Sequence, residues 1–287
     1  MKIPLPTPWK RRIKGRLKQW RLDWLRYGYA FGPEQFAAGL RQLGLKEGDT
    51  LMVSSSMDCF AAFIGRPTEI IAELEKVLGP SGTLLMPTIP FVGSALDWVG
   101  ANMLFDNYRT PSQMGLLTEL FRRSNGVIRS QHPTHAVAAK GLNAELLCAD
   151  HHLAKTPCGK GSPYQRMFEV DGFYLLLGSG VESMVIYHAI EEIIEDKMPV
   201  SPFTKEFYTV QSRTSSGDLV TTQTRLFNPD LSRRRCVSKM IPRLKSRAGC
   251  WQQVTLGKNL DMILLKAREV LAVAEEMAAR GEFCYED

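Results

Sequence analysis

The stretch VIYHAIEEIIEDK, residues 185–197, places one of the chain's five histidines at the head of a helix-like run, with four carboxylates directly behind it. At 3.6 residues per turn, His188, Glu191, Glu192 and Glu195 fall on neighbouring rows of one face. Such a face can do acid–base chemistry: a histidine takes or gives a proton near neutral pH, and a carboxylate one turn away can orient its ring. The carboxylates, Asp196 included, could also set up a negative field that captures a cation. The same residues would equally suit the solvated side of an ordinary helix, with His188 as its cap.

The elements around this stretch decide where it sits. PEQFAAGLRQLG (33–44) has the apolar spacing of a short helix and closes on Gly44, and TEIIAELEKVLG (68–79) has Pro67 at its start and Gly79 at its end. TLMVS (50–54) and GTLLMPTIP (82–90) have the apolar density of buried strands. The order strand, loop, helix, strand is a βαβ signature and predicts a largely parallel sheet. QMGLLTELFRRS (113–124) and LNAELLCAD (142–150) read as helices, AVAA (136–139) and FYLLLGSG (173–180) as strands, and 207–227 as a hairpin turning at Ser216-Gly217. A long helix is expected over 259–281. His188 therefore follows the C-terminal end of a buried strand, the edge at which open α/β sheets bind ligands.

Composition narrows the class. The 287 residues, 44% apolar and 23% charged, suit a soluble globular protein. No apolar run approaches the roughly 20 residues of a membrane span. The prolines of MKIPLPTPWKRRIK stand where a signal peptide needs its apolar stretch, so a cytoplasmic location is expected. Six scattered cysteines without a C-x-x-C suit free thiols in a reducing compartment. The net charge of +6 is concentrated in residues 10–26, which carry eight Lys/Arg against one Asp, with Ile13, Leu17, Trp20 and Trp24 at helical spacing. This segment could pack on the body as a helix, or lie on the inner face of a membrane through residues 9–26. No nucleic-acid motif accompanies it. The sequence divides into a basic amphipathic segment, 1–30, and one α/β domain, 31–287, in which 198–258 forms an antiparallel extension. A homo-oligomer is left open.

Several chemistries are absent as motifs. There is no G-x-S-x-G, no G-x-G-x-x-G and no G-x-x-x-x-G-K-[ST]. His132 and His135, in HPTH, could join His188 on a metal, but the proline breaks any helix there, and no metal is expected. What remains is a set of polar loops at strand ends: SSSMD (54–58), RSQHPTH (129–135), PCGKGSP (157–163) and YHAIEE (187–192).

In this order the pieces resemble the aminoglycoside 3-N-acetyltransferase family, also described as antibiotic N-acetyltransferases. The likeness runs through LGLKEGDTLMVSSS (43–56), IIAELEKVLGPSGTLLMPTIPF (70–91), GLLTELFRRSNGVIRSQHPTHAVAAKG (115–141), TPCGKGSPYQRMFEVDGFYLLLG (156–178) and YHAIEE. It covers roughly residues 35–195. The resemblance implies that family's three-layer arrangement, a single domain with a central mixed, largely parallel sheet flanked by helices. It also implies acyl transfer from acetyl-CoA to an amine of an amino sugar, without a metal. Three positions depart from the family pattern: Ser54 stands where a histidine is usual, Ala136 where a serine follows HPTH, and Val185 where a threonine precedes the retained His188.

On this reading His188 deprotonates the acceptor amine, and Glu191 or a residue of the 207–227 hairpin orients the ring. Ser54, Ser55 and Ser56 would supply donors to the oxyanion. Arg66, at the start of the 68–79 helix, or Arg129 with Ser130, would hold the phosphates of CoA. Glu192, Glu195 and His132 are expected on the acceptor side, with the 198–258 extension nearby. The acceptor favoured by Ser54, Ala136 and the basic segment is an amino sugar of a surface-polysaccharide precursor. The alternatives are an aminoglycoside antibiotic, or a non-catalytic homologue that only binds CoA.

Overall fold

In the computed structural model, residue 20 and residues 27–286 are described. The basic stretch expected to be a helix or a membrane contact therefore lies outside the described residues, apart from Trp20, which is 70% exposed. Among the described residues no helix is long and apolar enough to cross a membrane.

Among the described residues ten strands follow the chain order: β1 (Thr50–Ser55), β2 (Thr83–Pro87), β3 (Phe105–Asp106), β4 (Ile128–Arg129), β5 (Val137–Gly141), β6 (Phe173–Leu177), β7 (Tyr208–Arg213), β8 (Leu219–Thr224), β9 (Trp251–Leu256) and β10 (Leu260–Lys266). Seven form one sheet in the order β4-β5-β2-β1-β6-β10-β9. Its centre is parallel, β1 pairing with both β2 and β6. The wings are antiparallel, β5 and β4 on one side and β10 and β9 on the other. The α/β class and the mixed sheet match the expectation, but within this sheet parallel pairing is confined to the three central strands.

Those central strands read as continuous apolar runs because both of their faces are covered. Successive side chains point to opposite faces. Thus Leu51, Val53, Leu84, Leu175 and Leu177 join one core with the helices Pro33–Gln42, Pro67–Leu78 and Leu116–Arg122. Met52, Leu85, Tyr174 and Leu176 join the other with Ala144–Cys148, Pro163–Glu169, Tyr187–Ile193 and Ala267–Ala278. The helix Pro67–Leu78 is fixed at its start by Pro67 and by the Arg66 amide donating to Glu69 at 2.6 Å, and is stopped by Gly79 at φ +64°.

The long helix expected over 259–281 is two elements. Residues 260–266 form β10, in which Met262 and Leu264 enter one core and Ile263 and Leu265 the other. Only the second part, Ala267–Ala278, is helical. The hairpin at Ser216-Gly217 is present as β7 and β8, joined by β3 in a separate three-stranded sheet. β9, within the expected extension, belongs instead to the main sheet.

Candidate active site

β6 ends at Leu177, and Gly178, at φ +65°, turns the chain away from the sheet. A Cβ at Gly178 would collide with Cys59, so the close approach as well as the turn requires glycine. The chain then enters the helix Tyr187–Ile193, and His188 is its second residue, at the C-terminal edge of the parallel strands.

One turn on, Glu191 accepts from His188: Nδ1 lies 2.8 Å from Oε2. The Glu191 side chain is fully buried, whereas His188 keeps 18% of its side chain exposed. Arg235 grips the same carboxylate, with Nε at 2.8 Å from Oε1 and Nη2 at 3.1 Å from Oε2, and the Tyr285 hydroxyl donates to Oε1. Burial alone would raise the Glu191 pKa; the hydrogen bond from His188 and the charge of Arg235 outweigh it and hold the carboxyl at about 2. Burial and then the Arg235 charge push His188 below the usual imidazole range, against the opposing pull of Glu191. Near pH 7 the ring is therefore neutral. Because an ionised carboxylate only accepts, the ring proton sits on Nδ1 and leaves the Nε2 lone pair available.

His188 opens on a cavity of about 440 Å³. The wall is aromatic. Phe227 packs on the His188 ring with centroids 4.3 Å apart, His135 meets it edge-on at 6.0 Å, and Phe91 stands 6.0 Å from His135 and stacks on Trp98. Charge on this cavity comes from Asp97, Arg233 and Arg235. Arg235 is neutralised by Glu191, and Arg233 pairs with Asp230 at 3.1 Å. Asp97 takes its hydrogen bond from the Ser94 hydroxyl at 2.7 Å. A neutral imidazole with a free nitrogen, facing an aromatic cleft with a carboxylate at its rim, can accept a proton from a bound amine.

Other residues singled out from the sequence are placed differently. The Arg129 guanidinium is engaged within the fold: it donates to the Thr88 hydroxyl and to the carbonyls of Thr88, Asn107 and Thr110, over the Phe105 ring. Ser130 is 1% exposed, its hydroxyl bonded to His151 and accepting from the Val137 amide. His132 is fully buried and stacked on His151 at 4.6 Å, so the histidine of HPTH that reaches the cavity is His135.

Glu192 turns to Thr156, its carboxyl raised to about 7 by burial and by the charge of Glu195. Gly159 of PCGKGSP lets that loop close over Glu192, where a Cβ would collide. Glu195 forms a two-pronged pair with Arg225 at 2.8 and 2.9 Å. Glu192 and Glu195 therefore tie loops together, and the carboxylate lining the His188 cavity is that of Asp97.

Among the serines, the Ser54 hydroxyl is buried against the Tyr174 hydroxyl at 2.6 Å and the Ser183 carbonyl at 3.2 Å, so it is not a free oxyanion donor. Ser55 and Ser56 are half-buried at the end of β1. Arg66 is exposed, with Glu69 as its partner at 3.8 Å. Among the described residues no His, Cys, Asp or Glu cluster has the arrangement of a metal site. Arg235, Tyr285 and Asp97 were not legible as individual site residues; Phe227 closes the 207–227 segment, from which a residue orienting the ring was the alternative to Glu191. All four come from segments outside the motif loops.

The sequence model of the aminoglycoside 3-N-acetyltransferases matches residues 52–279 of this chain. The chain belongs to that family. It is 32% identical over 174 residues to aminoglycoside N(3)-acetyltransferase VII of Streptomyces paromomycinus, an alignment covering 56% of this chain and 60% of that protein. The chain thus spans about 60% of the length of that relative. Two solved structures share the fold. One is AAC-IIIb in a binary complex with CoASH, at TM-score 0.71 and 22% identity, covering 90% of this chain and 99% of that one. The other is a histidine-to-alanine mutant of AAC(3)-IVa in complex with a gentamicin, at TM-score 0.71 and 25% identity, covering 88% and 90%.

Proposed function

We propose that this chain transfers the acetyl group of acetyl-CoA to an amine of an aminoglycoside, with His188 as general base. The observation that carries this is the His188–Glu191 pair: one ring nitrogen is held at 2.8 Å by a buried carboxylate, and the ring opens on the aromatic cavity. Family membership supplies the reaction class. The names of the relatives support an antibiotic acceptor; none supports the surface-polysaccharide precursor placed first from the sequence. A CoA complex of a structural neighbour supports CoA as the acyl carrier.

A sugar ammonium gives up a proton to become a nucleophile. Asp97 attracts the cationic acceptor to the rim, and the aromatic walls take the apolar faces of its rings. The ammonium loses one proton to solvent, and His188 Nε2 accepts the next, from the neutral amine, as its nitrogen bonds to the thioester carbonyl carbon. The carbonyl oxygen carries the negative charge until the C–S bond breaks, when the CoA thiolate leaves and the imidazolium returns the proton to it. Glu191, ionised throughout, stabilises the imidazolium and keeps the tautomer.

The test is product analysis. The protein is incubated with acetyl-CoA and gentamicin, and the antibiotic is examined by mass spectrometry for one added acetyl group. Acetylation supports the reading. Acetylation of nucleotide-linked amino sugars, with gentamicin untouched, would replace the acceptor class. No acetylation of any amine would remove the activity.

A further inference from the structure

Two residues from distant parts of the chain meet on Glu191, and they meet by register. The segment 234–236 pairs antiparallel with 284–286: the Cys236 amide donates to the Cys284 carbonyl at 2.8 Å, and the Glu286 amide to the Arg234 carbonyl at 2.7 Å. Arg235 and Tyr285 are therefore directly opposite in a non-hydrogen-bonded pair, the arrangement that brings side chains closest. Both point to the same side, and both end on the Glu191 carboxylate. A slip of one residue in either segment would turn its side chain to the opposite face and part the two. Arg234 and Lys239 secure the pairing by donating to the carbonyls of Glu286 and Tyr285.

We infer that Arg235 and Tyr285 are positioning residues for acetyl transfer, clamping the Glu191 carboxylate so that Oε2 stays on His188 Nδ1; this rests on the proposed role of His188 as base. The carboxylate of a lone Glu191 could rotate about its terminal torsion, and the imidazole would follow it. With Oε1 held by Arg235 and Tyr285, and Oε2 shared between Arg235 and His188, that rotation is blocked. The clamp also divides the carboxylate's charge, so that His188 remains a neutral base and not a permanent imidazolium.

The groups facing this pair come from several elements. His135 lies against His188, and Tyr187, Cys158 and Cys284 lie near Glu191. Burial pushes His135 well below the imidazole range and pushes Tyr187, Cys158 and Cys284 above their ordinary values. Glu192, raised to about 7, titrates in the same range as a histidine, so the experiment is run on a Glu192→Gln background.

Tyr285→Phe keeps the ring and removes the hydroxyl, and Arg235→Lys keeps the charge but not the fork. Each is expected to lower kcat about tenfold, the effect of roughly one lost hydrogen bond in the transition state, with little change in KM for acetyl-CoA. Each should also raise the pH of the acid limb. A second readout needs no turnover: NMR titration of the His188 ring, assigned by comparison with His188→Ala. Its pKa should rise in both variants as Glu191 is freed to favour the imidazolium. Folded variants with wild-type kcat and an unshifted His188 titration would overturn the clamp. A shifted titration with no transferase activity even in the wild type would uphold the clamp and remove the proposed reaction.

Discussion

His188 Nδ1 lies 2.8 Å from Glu191 Oε2, and the two differ sharply in exposure: the carboxylate is sealed from solvent while 18% of the histidine side chain is exposed. This asymmetry lets one residue stay charged and the other exchange a proton with a ligand. It also fixes what should happen as pH changes.

On the proposed mechanism the base form of His188 is the active one. Burial and Arg235 lower its pKa, so the form persists below pH 6.5, the ordinary imidazole value. In kcat, which reports the bound complex, the acid limb attributable to this residue is expected below 6.5, falling tenfold per pH unit beneath it. A stopped assay across buffers with saturating substrates would show it. An acid limb at or above 6.5 would mean that His188 is not the base or is not shielded as described.

Glu195 offers a contrast. Because its carboxylate is paired with Arg225 and bonded to Ser201 at 2.6 Å, Arg225→Ala should leave KM for a cationic acceptor unchanged. The pair is partly exposed, so its loss should cost no more than about 1 kcal/mol in a denaturant melt. Asp97→Asn, by contrast, is expected to raise acceptor KM several-fold and to weaken its dependence on salt. If Arg225→Ala changed acceptor KM and Asp97→Asn did not, the assignment of the acceptor side would be reversed.

Arg129 is bonded within the fold, and its expected role is structural. Replacement by Met leaves the carbonyls of Thr88, Asn107 and Thr110 without their donor, at about 1–3 kcal/mol for each buried group left unpaired. The variant should melt several degrees lower and yet, where folded, keep its KM for acetyl-CoA. A large rise in that KM without loss of stability would restore Arg129 to the phosphate site.

Acid stability follows from the buried histidines. His132, His135 and His151 have folded pKa values below the unfolded 6.5, His151 at about 3, mainly through burial. Between those values the unfolded chain binds more protons, so stability falls as pH drops below 6.5, by up to about 1.4 kcal/mol per pH unit for each histidine. Glu119 and Glu191, both held at about 2, add to the loss as pH falls below 4.5. Melting temperature should be level near neutrality and fall increasingly steeply on acidification. A flat profile to pH 4 would contradict the burial of these rings.

What the sequence made legible has a physical pattern. The His188–Glu191 contact spans three residues on one helix, so helical periodicity alone brings the two together. Arg235 and Tyr285 lie 44 and 94 residues from Glu191, and no local period connects them to it. The central strands and the helix Pro67–Leu78 announced themselves through apolar runs, Pro67 and Gly79. β10 did not, because LDMILLK is apolar enough for a helix or a strand, and only its placement beside β6 decides between them. Likewise, in the sequence Arg129, Glu192 and Glu195 read as polar residues of a loop or of an exposed-looking face. The sequence shows their charge, and only the fold shows that other groups already satisfy it.

The central claim is that His188 is the base for acetyl transfer. Thiol release from acetyl-CoA, measured with an aminoglycoside panel for the wild type beside His188→Ala, tests it most directly. The expected result is turnover on at least one aminoglycoside that falls by about 10²–10⁴ in the variant, with the fold retained by circular dichroism. Equal turnover by the two proteins would contradict the account and leave His188 as a residue of an ordinary helix.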